Sequence, residues 1–257
     1  MSAPVPEKGW RGFHLFYHGD QDRLLGSLVR PLAAGLVAEG GIGRFFCIRY
    51  PLGGPHVRLR VEVDPAHGEW VAARVREAAA GFFARHPSAT PLSAEKIQRE
   101  NRGVIAEDPF ATEADDVVFA DNSVVEFPLY VEVDRYGGAA LYGHSLDFFV
   151  LSTLEALRFV EEHGGAPAGR RMAGAARLLV RQAWGLAADA EELAALASYA
   201  VGTLGKRLGG LLPAADAAFA RSPDAMCSLV RSELTALAAS PESAPPAGAA
   251  RALAHET

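Results

Sequence analysis

The first side chains that could do chemistry stand in the stretch HVRLRVEV. His56, Arg58 and Arg60 alternate there with valine and leucine. This alternation is typical of a strand with one buried face, because successive side chains point to opposite faces. Two arginines on one strand face can bind a carboxylate, a phosphate or a row of peptide carbonyls. The alternative interpretation is the solvated outer face of an edge strand.

A second group of candidate residues, EVDRYGG, lies at the end of the last predicted strand. Glu132, Arg135 and Tyr136 stand before Gly137 and Gly138. The two glycines allow positive φ angles and close approach of the backbone to a ligand. The alternative is a plain turn from strand to helix, in which Glu132 and Arg135 pair with each other.

Two further candidates for substrate binding rest on weaker patterns. Arg49 stands among aromatic residues in FFCIRYP, and the alternative there is an edge-strand arginine that packs on a ring. Ser145 lies near the start of a long predicted helix, together with Asp147 and Ser152. Because serine is a good helix cap, Ser145 also has a purely structural alternative.

Composition and charge exclude several classes of function. The 257 residues carry a formal net charge of −6, so the basic footprint of a nucleic-acid-binding protein is missing. The acidic pI and the lack of an aromatic RNA-binding strand disfavour an RNA-recognition sheet. Cys47 and Cys227 cannot build a disulfide framework, which predicts a reducing, cytoplasmic compartment. No apolar run approaches the ~20 residues of a membrane span, so we expect no membrane partner.

Motifs for metals and cofactors are also missing from the sequence. There is no phosphate loop, no glycine-rich dinucleotide fingerprint, no G-x-S-x-G and no H-E-x-x-H. The eight histidines are scattered without a metal-ligand spacing. We therefore expect an activity that uses neither a metal nor a cofactor.

Hydrophobic periodicity predicts the elements that position these residues. Helices should follow the first and third strands, with Asp20 as the N-cap of the first helix and Pro31 as a kink or break inside it. Residues 88–121 are expected to be irregular. The order of elements is that of a ferredoxin-like split βαβ antiparallel sheet. The predicted strands are residues 12–18, 43–51, 56–63 and roughly 124–133.

The rest of the chain predicts helices, which makes the fold class α+β with a helical C-terminal half. From Ala139 onward, helical stretches are separated by glycine, proline and serine. We expect one domain over residues 1–257, with the ferredoxin-like part in 1–136, the helical part in 137–240 and a loose tail in 241–257. The Arg58 and Arg60 face should open to a cavity shared with the C-terminal helices.

Three blocks in this order carry a resemblance to a known family. GRFFCIRY, PHVRLRVEV and EVDRYGG with the helix HSLDFFVLSTLEAL resemble the thiopeptide-type bacteriocin biosynthesis family. Its members are related to the C-terminal glutamate-elimination domain of lantibiotic dehydratases. The resemblance covers about residues 10–60 and 124–160 well, whereas the helical C-terminal part is similar only in kind.

The resemblance implies one of two chemistries. In elimination domains, a glutamylated serine or threonine loses glutamate and becomes a dehydroamino acid. In the other branch, two dehydroalanines undergo a formal aza-[4+2] cycloaddition that closes a macrocycle. Loss of water and of the leader peptide then gives a pyridine-type ring. The positions that match the family's R-x-R and E-x-x-R-Y patterns, and that the resemblance assigns to catalysis, are Arg58, Arg60, Glu132, Arg135 and Tyr136.

One departure from the family pattern favours the cycloaddition branch. Members of the elimination branch carry a segment that resembles S-L-x-H-M-H-x-N-R-L. The nearest match in this sequence is CSLVRSELTAL, which has Arg231 and Glu233 at the positions of the two histidines. Histidine changes protonation near neutral pH whereas arginine stays charged, so removal of the α-proton loses a partner. Arg231 could still bind a substrate carboxylate. The retained R-x-R and E-x-x-R patterns speak for elimination.

The expected partner is a precursor peptide that has a leader and a core containing dehydroalanines. A homodimer, or a complex with other biosynthetic enzymes, is left open. Two other functions remain as alternatives: a stand-alone glutamate-elimination lyase, and a non-catalytic protein that binds the leader peptide.

Overall fold

The fold is described from a computed structural model of the chain, which divides into two compact units, Met1–Gly164 and Gly165–Thr257. The prediction of a single domain stays a prediction. Glu132, Arg135 and the predicted tail lie outside the described residues. The structure describes residues 6–107, 116–130, 136, 138–186, 191–192, 194–195, 198, 227–228, 230–232 and 235–236.

A four-stranded antiparallel sheet forms the centre of the first unit. The strands lie in the order β2-β3-β1-β4, and every neighbouring pair is antiparallel. This order confirms the α+β class and the ferredoxin-like arrangement. The strands are β1 Pro6–Phe16, β2 Phe45–Tyr50, β3 His56–Glu62 and β4 Ser123–Tyr130.

The helical segment after β1 begins where the sequence predicts. The Asp20 side chain accepts hydrogen bonds from the backbone amides of Asp22 and Arg23, so it is the expected N-cap. A π-helical turn, Leu25–Val29, lies between two α-helical stretches and directly precedes the one that contains Pro31. The predicted break at Pro31 is therefore a change of helical hydrogen bonding. The two stretches are α1 Gln21–Leu24 and α2 Arg30–Ala38.

One face of the sheet packs against helices and forms the main core. Helix α3, Gly68–Arg85, presents Val71, Val75 and Phe82 to this core, and all three are buried. From β3 the same core receives Val57, Leu59 and Val61, none of which is exposed. The aliphatic half of the alternating stretch therefore faces the helices, as the sequence predicts.

The expectation that residues 88–121 are irregular is wrong, because a helix lies in the middle of this segment. Helix α4, Ala94–Glu107, has only a narrow buried side at Ile97 and Asn101. Asn101 accepts a hydrogen bond from the Gly53 amide and donates one to the Val117 carbonyl. Ile97, Val104 and Ile105 recur at helical spacing, but Asn101 interrupts their stripe and charged residues surround it, so the sequence of this segment resembles an irregular one.

The remaining described helices are α5, Gly138–His163, in the first unit and α6, Ala168–Leu186, in the second. Helix α5 packs on both sides of the outer strand β2. Leu157 joins the main core, while Leu146 packs with Trp10 and Phe46 on the other face of the sheet. Among the described helices, none is long and apolar enough to cross a membrane.

The other outer strand is β4, which pairs only with β1 in the sheet order. Pro128 lies within it, opposite Arg11 of β1. Proline in a sheet is confined to edge strands, strand starts and bulges, because it has no amide hydrogen to donate. The position of Pro128 is consistent with an edge strand. The register between β1 and β4 also shifts nearby, between Pro6 and Arg11.

Candidate functional site

The polar half of the alternating stretch lies on the second face of the sheet, away from the main core. His56, Arg58 and Arg60 alternate with the buried aliphatic residues of β3. Strand β3 is flanked by β2 and β1, and His56 and Arg60 are only 1% and 7% exposed. The stretch is therefore an interior strand, and its polar face is not the solvated surface of an edge strand.

Arg60 extends over β1, where a glycine leaves space for its guanidinium and a histidine binds it. Gly12 lies opposite Arg60 in the strand register, and a Cβ atom there would approach Arg60 Nη1 to 2.6 Å. Arg60 Nη2 lies 2.9 Å from His14 Nε2, which accepts the hydrogen bond. The guanidinium therefore occupies the space that the missing side chain of Gly12 leaves open.

Arg58 is half-buried and is held by a different set of neighbours. Its Nε donates to His56 Nε2 over 3.3 Å, and its guanidinium lies 3.5 Å from the centroid of the Tyr50 ring. A cation over an aromatic face is attracted by the ring quadrupole. Arg58 and Arg60, although on the same strand face, are thus each oriented by one imidazole.

The turn between β2 and β3 fixes the His56 ring. His56 Nδ1 donates to the Gly54 carbonyl over 2.8 Å, which leaves Nε2 as the acceptor for Arg58. Gly53 and Gly54 have φ values of 86° and 114°, which side chains other than glycine rarely adopt. The amide of Gly53 is bound by Asn101 of α4. The helix that the sequence did not reveal therefore supports the turn behind the site.

Both imidazoles are neutral at neutral pH. Burial, assisted by the charges of Arg60, His56 and Arg58, holds the pKa of His14 far below its ordinary value. Burial and the two arginines lower the pKa of His56 to about 4, although its hydrogen bond to Gly54 raises it. The two neutral rings therefore add no charge of their own beside the two arginines.

Aromatic rings surround the imidazoles. His14 lies 4.4 Å from Phe127 between ring centroids, and His56 lies 4.4 Å from Phe16. Phe119 stacks on Phe16 with centroids 4.6 Å apart. These apolar neighbours raise the cost of protonating either imidazole. They also limit rotation of the rings, so the hydrogen bonds to the arginines keep one geometry.

Tyr136 and Ser145 lie near the start of α5, beside the second face. Tyr136 makes an edge contact with Phe149, whose ring centroid is 5.3 Å from that of Phe46. The Ser145 hydroxyl donates to the Tyr136 carbonyl over 3.4 Å. Phe46 pairs with Arg60 in the strand register. The aromatic contacts therefore connect Tyr136 to the Arg60 end of the face.

One predicted substrate-binding residue, Arg49, lies on the other face of the sheet, and another, Arg231, belongs to the other unit. Arg49 pairs with Val57 in the register, so it lies on the helical face, where it forms an ion pair with Asp22. Arg231 is exposed and belongs to the second unit. The structure therefore brings together His56, Arg58 and Arg60, but it does not bring Arg49 to them.

Sequence reasoning missed the two β1 residues that contact Arg60. Gly12 and His14 stand in GFHLFYH, which the periodicity identifies as a strand. In that stretch Phe13, Leu15 and Tyr17 share one parity, whereas Gly12 and His14 share the other. The signal was a polar parity on a second strand, which pairs in register with the polar parity of β3. Within the described residues, no group of three or more histidine, cysteine, aspartate or glutamate side chains could hold a metal ion.

The sheet order and the two supported arginines define an α+β protein of the ferredoxin-like class, with a charged and partly buried second sheet face. The chain belongs to the lantibiotic biosynthesis dehydratase C-terminal family, whose family model matches residues 10–255. This membership confirms the family relationship that the three sequence blocks indicate. It also supports a role in the biosynthesis of ribosomally made, modified peptides.

Two solved structures share the fold at low sequence identity, and a third is more distantly similar. The pyridine synthase TbtD from thiomuracin biosynthesis has a TM-score of 0.65 at 20% identity, and the match covers 96% of this chain and 88% of TbtD. The match to TsrL has a TM-score of 0.56 at 20% identity and covers 91% of this chain and 61% of TsrL. The tRNA-dependent lantibiotic dehydratase MibB from Microbispora sp. 107891 matches at 19% identity with a TM-score of 0.42, over 73% of this chain and 15% of MibB. No curated protein matches this sequence.

Proposed function

We propose that this protein is a thiopeptide pyridine synthase. It catalyses a formal aza-[4+2] cycloaddition between two dehydroalanines of a leader-bearing peptide, and loss of water and of the leader gives the pyridine-type ring. Family membership and the fold shared with TbtD support this function. The proposal requires no metal and no cofactor, since the reaction joins two parts of one substrate.

The observation that carries the proposal is the state of the two imidazoles beside the arginines. His14 and His56 accept hydrogen bonds from Arg60 and Arg58, and the pKa of each imidazole is lowered. A base must take up a proton, and these rings have a low affinity for protons and occupied Nε2 atoms. In this proposal the two oriented arginines, and not the imidazoles, act on the substrate.

Fixed donors match the demands of the cycloaddition. Two tethered alkenes must be held in contact, and alignment of that kind can lower a barrier by roughly 7–11 kcal/mol. One amide must react as its iminol tautomer, which donors and acceptors aimed at that amide can stabilise. In this proposal, Arg58 and Arg60 bind the reacting amides. One new carbon–carbon bond joins the methylene carbons of the two dehydroalanines, and the other joins the iminol carbon to the α-carbon of the second dehydroalanine. The two alkene π bonds and the iminol C=N π bond are replaced by these two bonds and one new C=N bond, so no oxidant or reductant is needed.

The residues of the second motif complete the proposed site. Tyr136 is connected to the Arg60 end of the face through Phe149 and Phe46. We assign Tyr136, together with Glu132 and Arg135, to the proton transfers that accompany loss of water and leader. These steps need only ordinary acid and base groups. His56, Ser145, Arg49 and Arg231 stay predictions as substrate-binding residues.

The glutamate-elimination lyase makes a different demand on the same face. Elimination removes an α-proton and expels a carboxylate, so it benefits from a group that changes protonation near neutral pH. The imidazoles of His14 and His56 have lowered pKa values, and Arg231 stays charged. This comparison favours cycloaddition over elimination.

The test offers two substrates separately to the purified chain. One is a leader-bearing peptide that already contains two dehydroalanines, and the other is the same peptide with glutamylated serines. We expect the first to lose its leader fragment and water, read by mass spectrometry, and the second to remain unchanged. Glutamate release from the second peptide, with no macrocycle from the first, would identify an elimination lyase instead.

Binding of the leader is a separate part of the proposal. We propose that the leader binds before the core reacts, since the sequence contains no motif for a small-molecule substrate. The measurement is a titration of a labelled leader peptide followed by fluorescence anisotropy. Saturable binding without any turnover of either core would support the non-catalytic alternative, a leader-peptide-binding protein.

A further inference from the structure

Gly12 and His14 of β1 contact the guanidinium of Arg60, although neither belongs to the motifs that carry the family resemblance. We infer that His14 is a positioning residue, which holds Arg60 in the orientation that the proposed reaction needs, and that Gly12 provides the space for it. This inference rests on the proposed function for its consequence in turnover. The contact itself can be tested without any substrate.

Space is the first constraint on Arg60. A Cβ atom at position 12 would lie 2.4 Å from the Phe127 carbonyl oxygen and 2.9 Å from Arg60 Cζ. Both distances are shorter than any real contact of a Cβ atom, so a side chain at this position must displace backbone or guanidinium. The guanidinium thus passes over β1 at a position without a side chain, and any other residue there would push it away.

The hydrogen bond from Arg60 to His14 is the second constraint. It joins Arg60 Nη2 and His14 Nε2 over 2.9 Å, and His14 is 7% exposed. An arginine can only donate, so this contact requires His14 Nε2 to carry no hydrogen. A charged donor to a neutral acceptor forms a stronger hydrogen bond than two neutral groups do.

The neighbours of His14 keep its ring in place and keep it neutral. Its ring centroid lies 4.4 Å from that of Phe127 and 4.8 Å from that of His56. The charged and titratable groups that act on it are Arg60, His56 and Arg58, and all three oppose its protonation. A rotated or protonated ring would lose the acceptor that Arg60 uses. The protein therefore holds His14 as a fixed, uncharged acceptor rather than as a proton carrier.

The first experiment compares two substitutions of His14 in the cyclisation assay. His14→Gln keeps an oxygen acceptor near the position of Nε2, whereas His14→Leu has a similar volume and no acceptor. We expect His14→Leu to lower kcat roughly tenfold or more, since it leaves the buried end of Arg60 without this acceptor. His14→Gln should restore most of that loss. Equal losses in the two variants would overturn the inference.

A double-mutant cycle separates positioning from general destabilisation. If His14 acts through Arg60, His14→Leu should cause no further loss in an Arg60→Ala background. Losses that multiply would mean that His14 contributes independently of Arg60. Val75→Ala, which creates a cavity in the main core far from the second face, is the matched control for reduced stability. It should lower Tm without the loss of kcat.

The second experiment reads the contact in the wild-type protein without substrate. Long-range ¹H–¹⁵N correlation spectra of the histidine rings report which ring nitrogen carries the hydrogen. We expect His14 to have a protonated Nδ1 and a bare Nε2 and to stay neutral down to about pH 5. A hydrogen on Nε2, or titration of His14 near its ordinary pKa, would overturn the inference even if the chain is an active cyclase. If the spectra agree and no cyclisation occurs, the proposed function fails while the contact stands.

Discussion

The imidazole rings of His14 and His56 stack with centroids 4.8 Å apart and planes inclined by 23°. Each ring accepts a hydrogen bond at Nε2 from a different arginine. The two rings come from neighbouring strands: His14 lies opposite Arg58, the arginine that donates to His56, and His56 lies opposite Phe16. Protonation of either ring would place a third positive charge among them, so the pair is stable only when both rings are neutral.

Stability should therefore fall when mildly acidic pH protonates the unfolded histidines. In the unfolded chain His56 has the ordinary pKa of about 6.5, whereas its pKa in the folded protein is about 4. Between these values the unfolded state binds more protons, so the free energy of unfolding decreases as pH falls. The contribution is complete above about pH 6.5 and is lost as pH falls toward 4. Urea unfolding between about pH 7.5 and pH 5 measures it.

Variants identify the source of this pH dependence. His56→Phe removes one of the two imidazoles with lowered pKa values, so it should reduce the slope of the curve in this window, and His14 should supply the slope that remains. Glu62, whose pKa the hydrogen bond from Arg44 lowers, is present in both the wild type and the variant, so its contribution cancels when the two curves are compared. An unchanged slope in His56→Phe would contradict the prediction.

Gly12→Ala should damage both stability and turnover. The added Cβ would lie 2.6 Å from Arg60 Nη1, which forces a shift of the guanidinium or of the strand. Overpacking of this kind costs about 1–3 kcal/mol. Gly103→Ala in helix α4 is the matched control, because nothing lies within 4 Å of its added Cβ. That control should be neutral or stabilising, and thermal unfolding together with the cyclisation assay compares the two. Equal effects would show that Arg60 does not need the space.

Arg58→Lys should lower turnover while it leaves folding nearly intact. Lysine keeps the charge but loses the planar group that lies over Tyr50 and donates to His56. We expect a loss of kcat on the order of tenfold and a stability change within about 1 kcal/mol. Arg74→Lys is a suitable control, since Arg74 also lies over an aromatic ring, that of Trp70, on the helical side. Full activity of Arg58→Lys would mean that charge alone is sufficient.

Thr153→Val should loosen the contact between α5 and the outer strand β2. The Thr153 hydroxyl accepts from the Cys47 amide over 2.9 Å and donates to the Cys47 carbonyl over 3.3 Å. Valine has the same shape and leaves both backbone groups without this partner, which should cost about 1–3 kcal/mol. Ser152→Ala removes a hydroxyl one position earlier and should change the free energy of unfolding by less than about 0.5 kcal/mol. A Thr153→Val protein as stable as Ser152→Ala would refute the predicted role of this hydroxyl.

The local pattern was sufficient to predict the two faces of β3. Strict alternation from His56 to Val63 separates the aliphatic from the polar side chains, and the structure confirms that division. The same rule gave no answer for β2, because FFCIRY has large apolar residues on both parities. The sheet face on which Arg49 lies follows only from its pairing with Val57, and this pairing is a property of the assembled sheet.

Burial of the polar face could not be predicted from the stretch itself. Arg60 is buried because Gly12 lies opposite it and because His14 supplies an acceptor, and both residues are more than forty positions away in sequence. Helix α4 was missed for a related reason, since its buried Asn101 contributes hydrogen bonds to distant backbone groups instead of apolar periodicity. The burial of Arg60 and the presence of α4 thus depend on strand register and polar packing between distant parts of the sequence, which local alternation does not show.

Pro128 and Thr153 act at opposite margins of the sheet. Pro128 removes one amide donor from β4, and Thr153 occupies both backbone groups of Cys47 in β2. An outer strand with open amides and carbonyls is a template on which another extended chain can add, and this leads to recruitment by strand addition or to polymerisation. These two interruptions disfavour both outcomes. A further strand could add at either edge only across a gap in the backbone hydrogen-bond ladder, at Pro128 on one side and at Cys47 on the other.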